Sequence, residues 1–351
     1  MNAIPGLKIK GLEIPYCIFQ GGMGVAVGRP RLTREVFRCG GLGVLSSAGL
    51  KEIYSLEKDK KYTTYEAVRE EIETAMADGY KVGINVMCRL KESYDETIRA
   101  AIDAKVSALI VGAGLPRRIK GLENTVRIVI VSSARALELI LARWKPERPD
   151  VVIVEGPKAG GHLGFKIEDI DKPEFSLENI IPRVLEVTSK NGNIPVIAAG
   201  GICKEDILKL IGIGVVGVQM ATYFLATHES NASDEFKRQI VNCTEQEIKV
   251  VLKSPCDFPF RILTTSPMSQ KIRLPRCDMG CVLDKDSEGR FTVCKAHPNN
   301  PQNKEYFCIC NGLRAAIGLA PNEPPLYTVG SNAYQIKKIV TVAELMQELT
   351  S

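Results

Sequence analysis

Short apolar runs recur along the first two-thirds of the chain. Each ends in glycine or small polar residues, and most are followed by a stretch with helical spacing. Tyr16-Cys-Ile-Phe19 leads into Gln20-Gly-Gly-Met-Gly24, and Gly43-Val-Leu45 into Ser46-Ser-Ala-Gly49. Val82–Val86, Ala108–Val111, Val126–Val131, Val151–Val154, Pro195–Ala198 and Val215–Val218 repeat the form. Runs this short and this rich in β-branched residues predict buried strands. Between them, 3.6-residue periodicity predicts helices over Leu32–Cys39, Thr64–Ala77, Glu92–Ala104, Ala134–Arg143, Leu177–Thr188 and Lys204–Leu210.

Strand alternating with helix requires parallel pairing, because each crossover returns the chain to the same end of the sheet. Eight such units fit an α/β fold of the (β/α)8 type, a TIM barrel, better than an open doubly wound sheet. The barrel is assigned to residues 1–230. Beyond it the pattern changes. Ala232–Val241, Glu245–Leu252, Asn311–Leu319 and Thr341–Leu349 read as helices, with Thr341 as an N-cap. Ser254–Pro275 reads as irregular. Residues 231–351 are therefore expected to form a C-terminal helical and Cys-rich subdomain on the barrel.

Composition narrows the class without changing it. The chain is 45% apolar and 25% charged, as soluble globular proteins are. No apolar run could span a bilayer, and Met1-Asn-Ala-Ile-Pro5 lacks a secretory pattern, so the expectation is cytoplasmic with no membrane partner. A net charge of +5, with both signs interleaved, gives no nucleic-acid footprint. Eleven cysteines include five crowded into residues 277–310: Cys277, Cys281, Cys294, Cys308 and Cys310. In a reducing compartment such a cluster points to zinc or an iron–sulfur cluster before disulfides. The spacing matches neither the paired zinc pattern nor a ferredoxin run, and a group of reduced thiols is the alternative.

The candidate chemistry lies in the loops after the strands. In a barrel these gather on one face. Glu155-Gly-Pro-Lys-Ala-Gly-Gly-His162 follows Val151–Val154, and His162 alone of the three His sits in such a loop. Gly200 and Gly201, with the helix beginning near Lys204 and the Thr222 hydroxyl, form the ingredients of a phosphate site after the last two strands. No P-loop pattern occurs, and the first loop lacks a dinucleotide fingerprint. Gly21–Gly24 instead lets backbone approach a flat ring. Asn85, inside an apolar strand, needs a hydrogen-bonding partner.

Taken in order, Gln20-Gly-Gly-Met-Gly24, Gly40-Gly-Leu-Gly43, Gly83-Ile-Asn-Val-Met87, Ala159-Gly-Gly-His162, Ala198-Ala-Gly-Gly-Ile202 and Gly217-Val-Gln-Met220 resemble the nitronate monooxygenase family. Its superfamily includes the flavin-type enoyl-acyl-carrier-protein reductases. The resemblance covers about residues 10–230 and implies a TIM barrel holding non-covalent FMN. It implies that Gly22, Met23, Gly24 and Asn85 line the flavin. Gly161, Gly200, Gly201, Met220 and Ala221 would reach it mainly by backbone, with Gly200 to Ala221 near the phosphate. His162 falls on the family's active-site histidine. The implied function is an FMN-dependent oxidoreductase that oxidises alkyl nitronates with O2. The alternatives are an enoyl reductase fed by NAD(P)H and a non-catalytic flavin or redox-sensing protein. A small-molecule substrate and a homo-oligomer are expected. Segment 254–310 matches neither enzyme pattern.

Overall fold

A short hairpin precedes the barrel. Strands β1 (Leu7–Ile9) and β2 (Leu12–Ile14) pair antiparallel around Lys10-Gly11, both with positive φ, as a tight two-residue hairpin turn requires. Leu7, Leu12 and Ile14 join the barrel's interior cluster. Lys10 reaches Asp150 at 2.7 Å and the Thr125 carbonyl at 3.3 Å, just ahead of two barrel strands. The hairpin therefore stops the end of the barrel at which the strands begin.

The eight apolar runs become eight strands of one closed barrel. They are β3 (Ile18–Gln20), β4 (Leu42–Ser46), β5 (Gly83–Met87), β6 (Ala108–Gly112), β7 (Val126–Val131), β8 (Val151–Glu155), β10 (Val196–Ala199) and β11 (Gly217–Met220). A two-residue strand, β9 (Gly161–His162), lies in the loop after β8. All eight barrel pairings are parallel. The computed structural model describes residues 4–254, 258–272, 283–285, 287–289, 291–293 and 307–351.

Phe19, Leu42, Val44, Ile110, Ile128, Ile153 and Ile197 fill the barrel interior. The alternate positions, among them Val152, Val154, Val196 and Val218, pack outward against helical residues such as Leu137, Ile140, Ile181 and Leu210. The helices are α1 (Pro30–Arg38), α2 (Leu50–Glu57), α3 (Thr64–Met76), α4 (Lys91–Asp103), α5 (Ala134–Trp144), α6 (Leu177–Lys190) and α7 (Lys204–Ile213). A four-residue α8 (Thr222–Leu225) follows β11, then α9 (Asp234–Asn242) and α10 (Ile309–Ala315). The last helix, α11 (Val342–Thr350), packs on α1 and α8, with Met346 and Leu345 in the same core as Val36. Thr341 caps it in a reciprocal box with Glu344, as expected. Among the described residues no helix is long and apolar enough to cross a membrane.

Two expectations fail beyond the barrel. Glu245–Leu252 is not a helix: after one 3-10 turn it becomes β12 (Ile248–Val251), antiparallel to β13 (Phe260–Leu263). The irregular reading of Ser254–Pro275 thus also gives way, at Phe260–Leu263. The β-branched Ile248, Val250 and Val251 find a partner strand that local periodicity does not reveal. Strand β13 also pairs with β9, registering Phe260 opposite His162. The segment after the barrel thereby adds two strands to the loop after β8.

Close approach of α1 to β4 depends on Gly43. A Cβ there would lie 2.3 Å from both the Cα and the carbonyl oxygen of Thr33. Gly43→Ala is expected to destabilise the fold by about 1–3 kcal/mol, the usual range for overpacking a tight contact. Urea unfolding of wild type and variant checks this. Equal midpoints and slopes would mean that α1 shifts without cost.

Candidate active site at the barrel mouth

Side chains alternate along each strand, so the packing partners above fix which ones point into the mouth. Ile84 and Val86 pack with the helices, which turns Asn85 inward. Val151 and Ile153 fill the interior, which places Glu155 on the same side at the loop end of β8. Val218 and Met220 face the helices, which turns Gln219 inward. Glu155 and Gln219 both register opposite Ala199, from its two sides.

The first loop closes on these groups through its glycines. A Cβ on Gly22 would lie 2.5 Å from the Asn85 Cβ, and one on Gly21 would lie 3.2 Å from the Gln219 carboxamide carbon. Gly24 approaches the Ser46 hydroxyl in the same way, at 3.1 Å. The Asn85 carbonyl accepts from the Ser47 amide at 3.1 Å and hydroxyl at 2.9 Å. Its carboxamide has no partner among the described residues. The Gln219 Oε1 is buried and unpartnered. Buried polar groups are nearly always satisfied, so the Gln219 oxygen calls for a partner that the protein does not supply.

A second set of glycines lies at the other end of the mouth. Gly200 and Gly201 have φ of +101° and +70° and pack against the turn after β8. A Cβ on Gly200 would meet the Gly156 carbonyl oxygen at 2.8 Å, and one on Gly201 the Lys158 Cβ at 2.4 Å. The segment Val329–Asn332 covers this turn. Ser331 donates its amide to the Lys158 carbonyl at 3.0 Å, and Gly330 donates to the Thr222 hydroxyl at 2.9 Å. Beside them, the buried Nδ2 of Asn332 has no partner. Met220 turns its side chain into the outer core and gives its carbonyl to the Gly21 amide at 2.9 Å. Met23 is likewise buried in that core, and Ala221 is exposed.

His162 is held from three sides. Its Nε2 lies 2.8 Å from the Ser254 hydroxyl. The rings of Phe260 and Phe258 meet it edge-on, at 4.5 and 6.1 Å between centroids. Arg89, after β5, lies over the Phe258 ring at 4.3 Å. Burial, then the Arg89 charge, pushes the imidazole down to about 4. His162 is therefore neutral at physiological pH. Burial pushes the Glu155 carboxyl the other way, up to about 7. Arg261 of β13 pins the loop between them, donating to the Pro157 and Ala159 carbonyls, each at 2.7 Å.

The sequence singled out His162, Asn85 and both glycine sets. It missed Gln219 and Glu155, whose importance depends on inward register, and Ser254, Arg261 and Gly330–Asn332, which arrive from distant segments. The cysteine reading is only partly covered. Cys277, Cys281 and Cys294 lie outside the described residues. Cys308 and Cys310 lie at the start of α10, and among the described residues no three His, Cys, Asp or Glu gather as a metal site. Burial, then the 2.9 Å hydrogen bond that Cys203 donates to Asp206, pushes its thiol up to about 12, which disfavours the thiolate.

The family model described as nitronate monooxygenase matches residues 6–351. A probable nitronate monooxygenase of Staphylococcus aureus (strain MRSA252) is 28% identical over 266 residues, 68% of this chain and 73% of that protein. Among solved structures, FabK from Thermotoga maritima superposes with a TM-score of 0.70 at 24% identity, covering 96% of this chain and 92% of that one. The nitroalkane oxidase of Streptomyces ansochromogenes gives 0.68 at 22% identity, covering 96% and 95%.

The lowered His162 pKa has a consequence for stability. Between about 6.5 and about 4 the unfolded chain takes up a proton that the folded imidazole refuses. This contribution to stability is intact above about 6.5 and is lost as pH falls toward 4. His162→Gln removes it. Between pH ~7.5 and ~4.5 the wild type should therefore lose more of its urea midpoint than the variant. Equal losses would show that His162 is not desolvated.

Proposed function

The chain belongs to the nitronate monooxygenase family, and on that premise we propose an enzyme that holds FMN non-covalently and oxidises alkyl nitronates with dioxygen. The observation that carries the cofactor is the buried, unpartnered Gln219 Oε1 together with the half-buried Asn85 carboxamide, set against Gly21 and Gly22. A flat heteroaromatic ring with carbonyl and N–H edges supplies what both groups lack. The Gly21–Gly24 backbone, free of side chains at Gly21, Gly22 and Gly24, lets such a ring approach. At the far end Gly200, Gly201 and the Met220–Thr222 turn would hold the phosphate, with the orphan Asn332 amide as a further donor.

When bound, FMN supplies the electron chemistry, and the protein supplies binding and orientation. Arg89 is exposed at the rim and has no ion pair among the described residues. It draws an anionic nitronate toward the mouth. Phe258 and Phe260 form an apolar wall beside His162. The neutral imidazole, tethered at Nε2, is left to orient the substrate rather than to neutralise it.

The purified protein should be yellow and should take up oxygen with alkyl nitronates without NADH. Gly200→Val should release the flavin while keeping the far-ultraviolet circular dichroism, because its side chain would part the Gly156 and Gly200 turns. A colourless wild type that rejects added FMN would sink the reading. NADH oxidation with an enoyl thioester, and indifference to nitronates, would replace it with the reductase.

A further inference from the structure

We propose that Ser254 is a positioning residue of this site: its hydroxyl donates to His162 Nε2 and so keeps the ring proton on Nδ1, where it donates a hydrogen bond to an oxygen of the bound nitronate. The inference rests on the function proposed above and adds to it the group that decides how the histidine is presented. No covalent bond forms or breaks. The hydroxyl acts on the substrate only through the ring.

One small sheet, in the order β12–β13–β9, sets both residues. Phe260 of β13 stands opposite Val251 of β12 on one side and His162 of β9 on the other. The Leu163 amide donates to the Pro259 carbonyl at 2.9 Å, which holds the chain on the far side of His162 as well. Ser254 comes shortly after Val251 and is only 1% exposed. Its neighbour Lys253 reaches the Ser269 carbonyl at 2.6 Å, so the backbone beside the hydroxyl is anchored too. The Ser254 Oγ then lies 2.8 Å from His162 Nε2. The histidine thus comes from the part of the chain that carries the glycine motifs, and the hydroxyl from a segment that carries none of them.

Packing alone cannot choose how the ring is presented. The Phe260 and Phe258 rings meet it edge-on, at interplanar angles of 67° and 76°. Such contacts fix the plane of the imidazole. They do not tell a ring nitrogen from a ring carbon, so a half-turn of the ring would leave them nearly unchanged. The hydroxyl does tell them apart, because a carbon in place of Nε2 would lose the hydrogen bond. Among the described residues Ser254 is the one hydrogen-bonding partner of the ring, and Nδ1 has none. His162 itself stays partly accessible. The ring is neutral, since burial pushes it down to about 4, so one nitrogen carries a proton and the other a lone pair. A hydroxyl could serve either nitrogen state. The substrate decides between them: an anionic nitronate accepts hydrogen bonds and would be repelled by a bare lone pair on Nδ1.

The test reads the ring nitrogens of His162 by NMR in protein with nitrogen-labelled histidine, in wild type, Ser254→Ala and Ser254→Cys. His162→Gln assigns the signals. In the wild type Nδ1 should show the shift of a protonated nitrogen and Nε2 that of an unprotonated one. In Ser254→Ala the two shifts should approach each other as both tautomers fill. With FMN bound and ethyl nitronate as substrate, Ser254→Ala should lower kcat/KM for oxygen uptake by about 10-fold, the effect of one ordinary hydrogen bond. Ser254→Cys keeps the size with a weaker donor and should fall between; it carries the same readouts if Ser254→Ala does not fold. In a His162→Gln background, adding Ser254→Ala should cost little more. Losses that simply multiply would show Ser254 acting apart from His162 and overturn the proposal. A proton on Nε2 in the wild type, or ring shifts unmoved by Ser254→Ala, overturns it equally. If the wild type ignores nitronates, the functional reading falls by itself. The ring shifts need no turnover and still confirm or overturn the hold of Ser254 on His162.

Discussion

Closing eight parallel strands on themselves leaves no free edge and no freedom of register. A one-residue slip would turn Val152 and Val154 into the barrel and Glu155 out among the helices. The same slip would send Asn85 and Gln219 into the outer core. Closure thus binds the apolar interior and the polar mouth into a single choice. The dry rows of Phe19, Ile110, Ile128 and Ile153 hold in place the polar groups that end the same inward faces.

Desolvation at that end acts on an acid and a base in opposite senses. It disfavours imidazolium at His162 and carboxylate at Glu155, so the usual order of their acidities is inverted. Among the described residues no countercharge corrects the inversion. Arg89 deepens it by opposing a second positive charge at His162. One environment thereby separates two roles, a neutral hydrogen-bonding ring and a carboxyl poised near neutrality.

The fold was legible because each barrel strand is a local signal. Val126–Val131 is an unbroken run of β-branched residues and one Arg, and its strand begins and ends there. The glycine loops were legible too, since backbone that must approach a ligand advertises itself. The hairpin at Leu7–Ile14 shows plain alternation around Lys10-Gly11 and could have been read. Other features could not be read locally. Ile248–Val251 takes its conformation from a partner strand that itself pairs with the His162 loop. Glu155 stood in the quoted motif, but its meaning depends on which way β8 faces, and a run of apolar residues on both faces does not say. Asn332 meets the mouth only because a segment more than a hundred residues past Thr222 folds back over it.

That returning segment also bears on how the protein is made. Residues 329–332 roof the turn after β8, and α11 takes its place beside α1 at the seam of the barrel. A ribosome delivers both after every barrel strand has emerged. Until then the outer face of α1 around Val36 lacks its Met346 and Leu345 neighbours, and the glycine turns lack Gly330 and Ser331. The nascent barrel is therefore complete in strands but open along one seam and at one end of its mouth. The glycine turns at the mouth therefore gain their Gly330 and Ser331 contacts only after the barrel strands have been made.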